Sequence, residues 1–200
     1  MADVNAESTR SGRSYFEENF NLPNVLTSLR ILFIPLFAFL VIRGDDEHLG
    51  WMWAAFGLFV ALMITDKLDG DIARARDLVT DFGKIADPIA DKALMTTALV
   101  CLNVIGVLPV WVTVVIVIRE FGITLWRMAM LRRGKVMPAS KGGKLKTALQ
   151  TLAVGLYLCP LPDWMETPTF VVMLAAVAVT VFTGVQYLWD ARSMERQGRN

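Results

Sequence analysis

Hydrophobic and polar positions fall in long blocks along this chain. Six apolar runs, at about residues 25–42, 51–74, 88–107, 110–131, 145–158 and 168–189, are separated by short polar stretches. Each run is near the roughly 20 residues that cross a bilayer as an α-helix. Pro109 and Pro168 suit the first turns of helices. The pattern predicts an all-α integral membrane protein with six transmembrane helices. Residues 1–19 are polar and lack the apolar stretch of a secretory signal. Tyr15, Phe16, Phe20 and Leu22 leave two readings for the lead-in, a short N-terminal interfacial helix or a disordered segment. No repeat is visible, and no polar stretch is long enough for a separate soluble fold. The expected organisation is a cytoplasmic segment at 1–20, a membrane domain at 21–192 and a cytoplasmic tail at 193–200.

Composition agrees with that pattern. Hydrophobic residues make up 54% of the 200, and the mean hydropathy of +0.47 suits a multi-span membrane protein better than a soluble globule. Cys101 falls inside an apolar run and Cys159 near the end of another, and both read as packing residues, although a bridge between them stays open. The net charge of +1 gives no basic excess to suggest a nucleic acid partner. Its distribution is more informative. Arg74, Arg76 and Lys84 lie between runs two and three, and Arg132, Arg133, Lys135, Lys141, Lys144 and Lys146 between runs four and five. Arg10 and Arg13 precede run one, and Arg192, Arg196 and Arg199 follow run six, whereas the opposite connections carry Arg43 with Asp45, Asp46, Glu47, Asp163 and Glu166. The positive-inside rule then puts both termini in the cytoplasm of a multi-pass cell-membrane protein.

The candidate chemistry lies between runs two and three. Asp66 and Asp69 are three residues apart, and Asp87 and Asp91 are four apart. Either spacing puts two side chains on one face of a helix. Two helices that present these pairs to each other gather four carboxylates, which repel unless a cation lies among them. All-oxygen ligation suits a hard divalent ion such as Mg²⁺, Mn²⁺ or Ca²⁺. Gly70 lets a ligand approach the backbone, Ala73 keeps the same face open one turn on, and Arg74 offers a planar fork to phosphate oxygens. Gly83 is expected to let the chain turn before the second helix. On the orientation above, this cluster faces the cytoplasm, where a soluble nucleotide headgroup can reach it.

Charges inside the apolar runs are costly unless they are paired or face water. Arg119 and Glu120 sit mid-run, with Arg127 two turns on. Adjacent residues on a helix point to different sides, so an ion pair between Arg119 and Glu120 is expected to be poor. Arg119 is expected to face an interior aqueous cavity, with a structural partner such as one of the aspartates as the alternative. Asn24, Thr27 and Arg30 form N-x2-T-x2-R on one face of the first run, with Arg30 either snorkelling or pointing inward. The 134–147 loop is basic and glycine-bearing but is not a Walker A loop, because Leu145 follows Gly143-Lys144. Lys144 and Lys146 near its end read as an anion pocket, as plain positive-inside topology, or as both. The single histidine, His48, reads as solvated.

The stretch from Asp66 to Asp91 resembles the signature of the CDP-alcohol phosphotransferases, D-x2-D-G-x2-A-R-x8-G-x3-D-x3-D, at Asp66, Asp69, Gly70, Ala73, Arg74, Gly83, Asp87 and Asp91. The resemblance implies a six-helix membrane enzyme with two divalent metal ions, Mg²⁺ first and Mn²⁺ second, commonly a homodimer. It implies metal binding by Asp66, Asp69, Asp87 and Asp91, with Asp91 also the general base. It implies that Asp69, Gly70, Ala73 and Arg74, with Asn24, Thr27 and Thr80, bind the nucleotide end of CDP-diacylglycerol. NLPNVLTSLRILFIP at the first run, and IREFGITLWR with GGKLKTALQ further on, resemble the phosphatidylglycerophosphate synthase branch. That branch implies phosphatidyl transfer to sn-glycerol 3-phosphate with release of CMP. Arg119, Arg127, Lys144 and Lys146 are the cations available for the acceptor's phosphate. Cardiolipin synthases and phosphatidylinositol-phosphate synthases share the signature and remain alternatives, and a cation transporter is the alternative from another class.

Overall fold

A computed structural model describes the backbone of residues 22–44, 49–75, 81–132 and 141–197, and within these the side chains of 24–44, 49–68, 86–132 and 143–189. Six α-helices occur among the described residues: α1 (Leu22–Arg43), α2 (Leu49–Ala75), α3 (Asp81–Val104), α4 (Val110–Arg132), α5 (Lys141–Leu158) and α6 (Glu166–Gln197). A short 3-10 turn (Asp163–Met165) leads into α6, and no strand is present among the described residues. Tyr15, Phe16 and Phe20 of the expected interfacial helix lie outside the described residues, as do His48, Thr80 and most of the 134–147 loop.

Every apolar run forms a helix, though the boundaries differ: α3 stops at Val104, short of the run's end, and other helix ends extend beyond the runs. α3 begins at Asp81, so Pro88 lies inside it rather than opening it. Gly83 is therefore a helical residue, and the expected turn at that position is not there. An acidic first residue suits a helix N-terminus, whereas hydrophobicity marks only the part of the helix facing apolar surroundings. α6 likewise continues past Trp189 for two polar turns, to Gln197.

Among the described residues, three helical segments are long and apolar enough to cross a membrane: Asn24–Arg43, Leu49–Leu68 and Asp163–Trp189. The other three helices carry charges along their lengths, Asp87, Asp91 and Lys92 in α3, Arg119, Glu120 and Arg127 in α4, and Lys141, Lys144 and Lys146 in α5. Large apolar side chains lie exposed on every helix, among them Leu32, Ile64, Ile118, Leu152 and Phe182. A soluble monomer rarely leaves that much apolar surface uncovered, so these faces suit lipid. The chain has membrane-protein character.

The chain divides into two compact units. The first comprises Met1–Phe37 and Leu58–Leu94, the second Ala38–Gly57 and Met95–Asn200. In the first, the rings of Phe37 and Phe59 pack with centroids 6.0 Å apart and planes tilted by 33°, and Ala86, Ala90 and Leu94 form a buried stripe along α3. In the second, α3 passes to α4 through a tight turn. Gly106 there has φ of +80°, a conformation that favours glycine, and Val107 N–H donates back to the Leu102 carbonyl at 3.1 Å. Asn103 braces the turn by donating from Nδ2 to the Leu108 carbonyl at 2.9 Å. α6 packs against both α4 and α5. Cys101 is buried, Cys159 is half-buried, and both are free thiols, which closes the question of a bridge.

Candidate active site

In the first unit, α1 presents Asn24, Thr27 and Arg30 on one face, and all three are buried. The spacing of three makes them successive rungs about one turn apart. The Thr27 hydroxyl donates to Asp87 Oδ1 of α3. Arg30 Nη1 meets Asp66 Oδ1 of α2 at 2.6 Å. Two neighbouring rungs of one helix thus gather one carboxylate from each of the two expected pairs. Arg30 points inward rather than snorkelling. Its fully buried guanidinium is tolerable in an apolar setting because a carboxylate meets it.

Asp91 follows Asp87 by one turn of α3 and is half-buried. Asp69, Gly70, Ala73 and Arg74 lie on the helical backbone of α2, three to eight residues beyond Asp66, and their side chains are outside those described. Thr80 is outside as well. Among the described residues no group of three or more acidic, histidine or cysteine side chains closes on a metal position. The donor set the structure does bring together, Asp66 and Asp87 with a threonine hydroxyl between helices, is all oxygen. That chemistry fits a hard divalent cation.

The second unit holds a separate polar cluster on α4, α5 and α6. Arg119 Nε donates to the Thr180 carbonyl at 3.1 Å, Nη2 donates to Thr183 Oγ1 at 2.9 Å, and Nη1 donates to Glu120 Oε1 at 3.1 Å. Lys146 Nζ donates to the same Glu120 oxygen. Gln150 Nε2 donates to Thr180 Oγ1 at 2.9 Å. Two turns along α4, Arg127 Nη2 donates to the Tyr187 hydroxyl at 2.6 Å, and its guanidinium carbon lies 5.5 Å from the centre of the Tyr187 ring.

This arrangement corrects the expectation that Arg119 and Glu120 make a poor pair. Their Cα–Cβ bonds do diverge, but both side chains are long enough to curl to one point, where Lys146 joins them. Arg119 is also partnered by hydroxyl and carbonyl groups of α6 rather than by an aspartate or an open cavity. Lys144, by contrast, is exposed. Sequence reasoning missed the α6 side of the cluster. Thr180, Thr183, Gly184 and Tyr187 recur at 0, 3, 4 and 7 along one helical face, a signal that an apolar run of threonines hides.

The same geometry fixes a relation between α4 and α6. Arg119 meets Thr180 and Thr183, and Arg127, eight residues on, meets Tyr187. The two helices therefore run in the same direction, as two helices separated by one antiparallel partner must.

A family model described as CDP-alcohol phosphatidyltransferase matches residues 20–182, which contain the carboxylate pairs and the Arg119, Glu120 and Lys146 part of the α4–α6 cluster. The chain belongs to this family. Membership of a phosphatidyltransferase family decides between transferase and cation transporter, in favour of the transferase. The family is generally dependent on divalent metal. Among family members, a protein of Mycobacterium tuberculosis named "Probable phosphatidylglycerophosphate synthase" is 46% identical over 168 residues, covering 84% of this chain and 80% of its own length. A CDP-diacylglycerol–glycerol-3-phosphate 3-phosphatidyltransferase of Bacillus subtilis is 37% identical, covering 86% of this chain and 97% of its own. The enzyme of that name from Escherichia coli K12 is 31% identical over 87% of this chain and 96% of its own.

Proposed function

We propose that this chain transfers the phosphatidyl group of CDP-diacylglycerol to sn-glycerol 3-phosphate, giving phosphatidylglycerophosphate and CMP. The observation that carries the reading is the convergence of Asp66 and Asp87 on Thr27 and Arg30, within a sequence that matches the family signature throughout. Relatives whose names state this acceptor match most of the chain.

In the reaction, the free primary hydroxyl of the acceptor attacks the phosphorus that carries the diacylglycerol. A new P–O bond forms, the bond from that phosphorus to the bridging oxygen of CMP breaks, and CMP leaves with the electron pair. Asp91 takes the hydroxyl proton. Asp66, Asp69, Asp87 and Asp91 would hold two divalent ions, Mg²⁺ in the first instance. When bound, these ions neutralise the diphosphate and stabilise the charge that develops on CMP. Thr27 orients the Asp87 carboxylate and Arg30 the Asp66 carboxylate, so α1 sets the positions of groups on α2 and α3. Asn24, Gly70, Ala73, Arg74 and Thr80 are assigned to the nucleotide end of the donor. The cations assigned to the acceptor phosphate are Arg119, Lys146, Arg127 and Lys144. We assign the carboxylate cluster and both termini to the cytoplasmic face, on the distribution of Lys and Arg, and take the functional unit as a homodimer in which 21–192 forms the membrane domain.

The test is a CMP-release assay on purified protein with CDP-diacylglycerol and Mg²⁺, with glycerol 3-phosphate, inositol phosphate or phosphatidylglycerol added separately. Phosphatidylglycerophosphate formed only with glycerol 3-phosphate is the expected result. Release only with another acceptor would discard the acceptor assignment and leave the donor site standing.

A further inference from the structure

The α4–α6 cluster contains a residue that the reaction scheme leaves unused. Glu120 places a single oxygen, Oε1, against two cations from two helices, Arg119 Nη1 of α4 at 3.1 Å and Lys146 Nζ of α5. A phosphate oxygen would demand the same donors. We infer that Glu120 is a resident anion that holds the place of the acceptor's phosphate between Arg119 and Lys146 and gives way when that phosphate binds. The inference rests on the acceptor assignment above and deepens it.

The arginine side of the cationic frame is built to stay when the carboxylate leaves. Arg119 is fastened from behind by the Thr180 carbonyl and the Thr183 hydroxyl. Gly184 supplies the room for it, because a Cβ there would meet Arg119 Cγ at 3.3 Å and Nε at 3.4 Å. Thr180 is itself held, since its hydroxyl donates to the Ala176 carbonyl at 2.6 Å and accepts from Gln150. Among the described residues, Glu120 has no such fastening on the carboxylate oxygen that bridges the cations. Its side chain is also the most exposed of the three, at 21% against 13% for Arg119 and 9% for Lys146.

Charge explains the use of such a residue. Two cations in a poorly solvated setting are costly without an anion. A carboxylate supplies the anion between turnovers, and a phosphate dianion replaces it with more charge. The cost of displacing Glu120 is subtracted from the affinity for the acceptor. Glu120 therefore sets acceptor affinity without touching the reacting atoms.

The experiment compares the native enzyme with Glu120→Gln, which keeps the shape and the hydrogen-bond acceptor but loses the charge. The KM for glycerol 3-phosphate should fall by about tenfold, a change equivalent to about 1.4 kcal/mol, while the KM for CDP-diacylglycerol stays where it was. Inorganic phosphate, tested without any acceptor, should raise the thermal midpoint of Glu120→Gln at roughly tenfold lower concentration than it does for the native protein. Glu120→Asp, which keeps the charge but withdraws it from Lys146, should show both effects in smaller measure. An unchanged or raised KM for glycerol 3-phosphate together with unchanged phosphate stabilisation would overturn the inference. So would failure of both variants to fold, which would make Glu120 a structural counter-ion. Tighter phosphate binding by Glu120→Gln in a protein that makes no phosphatidylglycerophosphate would overturn the acceptor assignment alone.

Discussion

Asp66 and Asp87 meet across Thr27 and Arg30, and their removal separates chemistry from folding. Asp66→Ala or Asp87→Ala should abolish CMP release, by at least about a thousandfold if each carboxylate helps to hold a metal ion on the leaving group, while the protein still inserts and purifies from membranes. Near-native turnover by either variant in a radiolabelled-acceptor assay would remove the metal assignment. Asp91→Asn should lose the chemical step and keep donor binding, measured as protection from unfolding by CDP-diacylglycerol with Mg²⁺. The carboxylates were legible in the sequence because their spacings state a helical face directly. Arg30 was legible only as a member of N-x2-T-x2-R. That Asp66 is its partner depends on how α1 and α2 are rotated about their axes, which no local pattern encodes. The Arg119–Glu120 pair is hidden for the converse reason, since adjacent helical positions diverge at Cβ and only the reach of two long side chains brings their ends together.

At the scale of elements, the sequence located all six helices but not where they begin and end. Hydrophobicity reports burial, and α3 and α6 each continue for about two turns through polar residues that it cannot see. The packing of α6 on α4 was equally hidden, because it uses small and hydroxylated residues instead of a polar signature. Gly184 is the critical one. Gly184→Val would press on the stem of Arg119 and should cost about 1–3 kcal/mol, the usual range for overpacking, read as a lowered thermal midpoint in detergent. A midpoint equal to the native one would mean that Arg119 shifts aside freely, and would weaken the case for a fixed cationic frame.

For the whole molecule, membrane character follows from three strongly apolar helices and from exposed aliphatic and aromatic surface on all six. The proposed orientation rests on the distribution of charge instead. A reporter fused after Asn200 should be active only in the cytoplasmic form, and one inserted in the 44–48 connection only in the external form. The opposite pair of results would put the carboxylates on the wrong side for a soluble acceptor. Stripping divalent ions with a chelator should abolish transfer reversibly, with Mg²⁺ restoring it. Activity that survives chelation would remove the ions from the scheme. The acceptor was legible only through resemblance, because the cations proposed for its phosphate, Arg119, Arg127, Lys144 and Lys146, are single residues spread over α4 and α5 that share no local pattern.

The rungs of α1 carry one more implication, for insertions and deletions. Arg30 and Phe37 are seven residues apart, close to two helical turns, and both are completely buried, whereas Leu32 between them is 69% exposed. Adding one residue between Arg30 and Phe37 would swing everything above it by about 100° relative to everything below. Thr27 and Arg30 would leave Asp87 and Asp66 together and turn towards lipid. Substitutions along that stretch can be weighed one at a time. Its length has a single workable value.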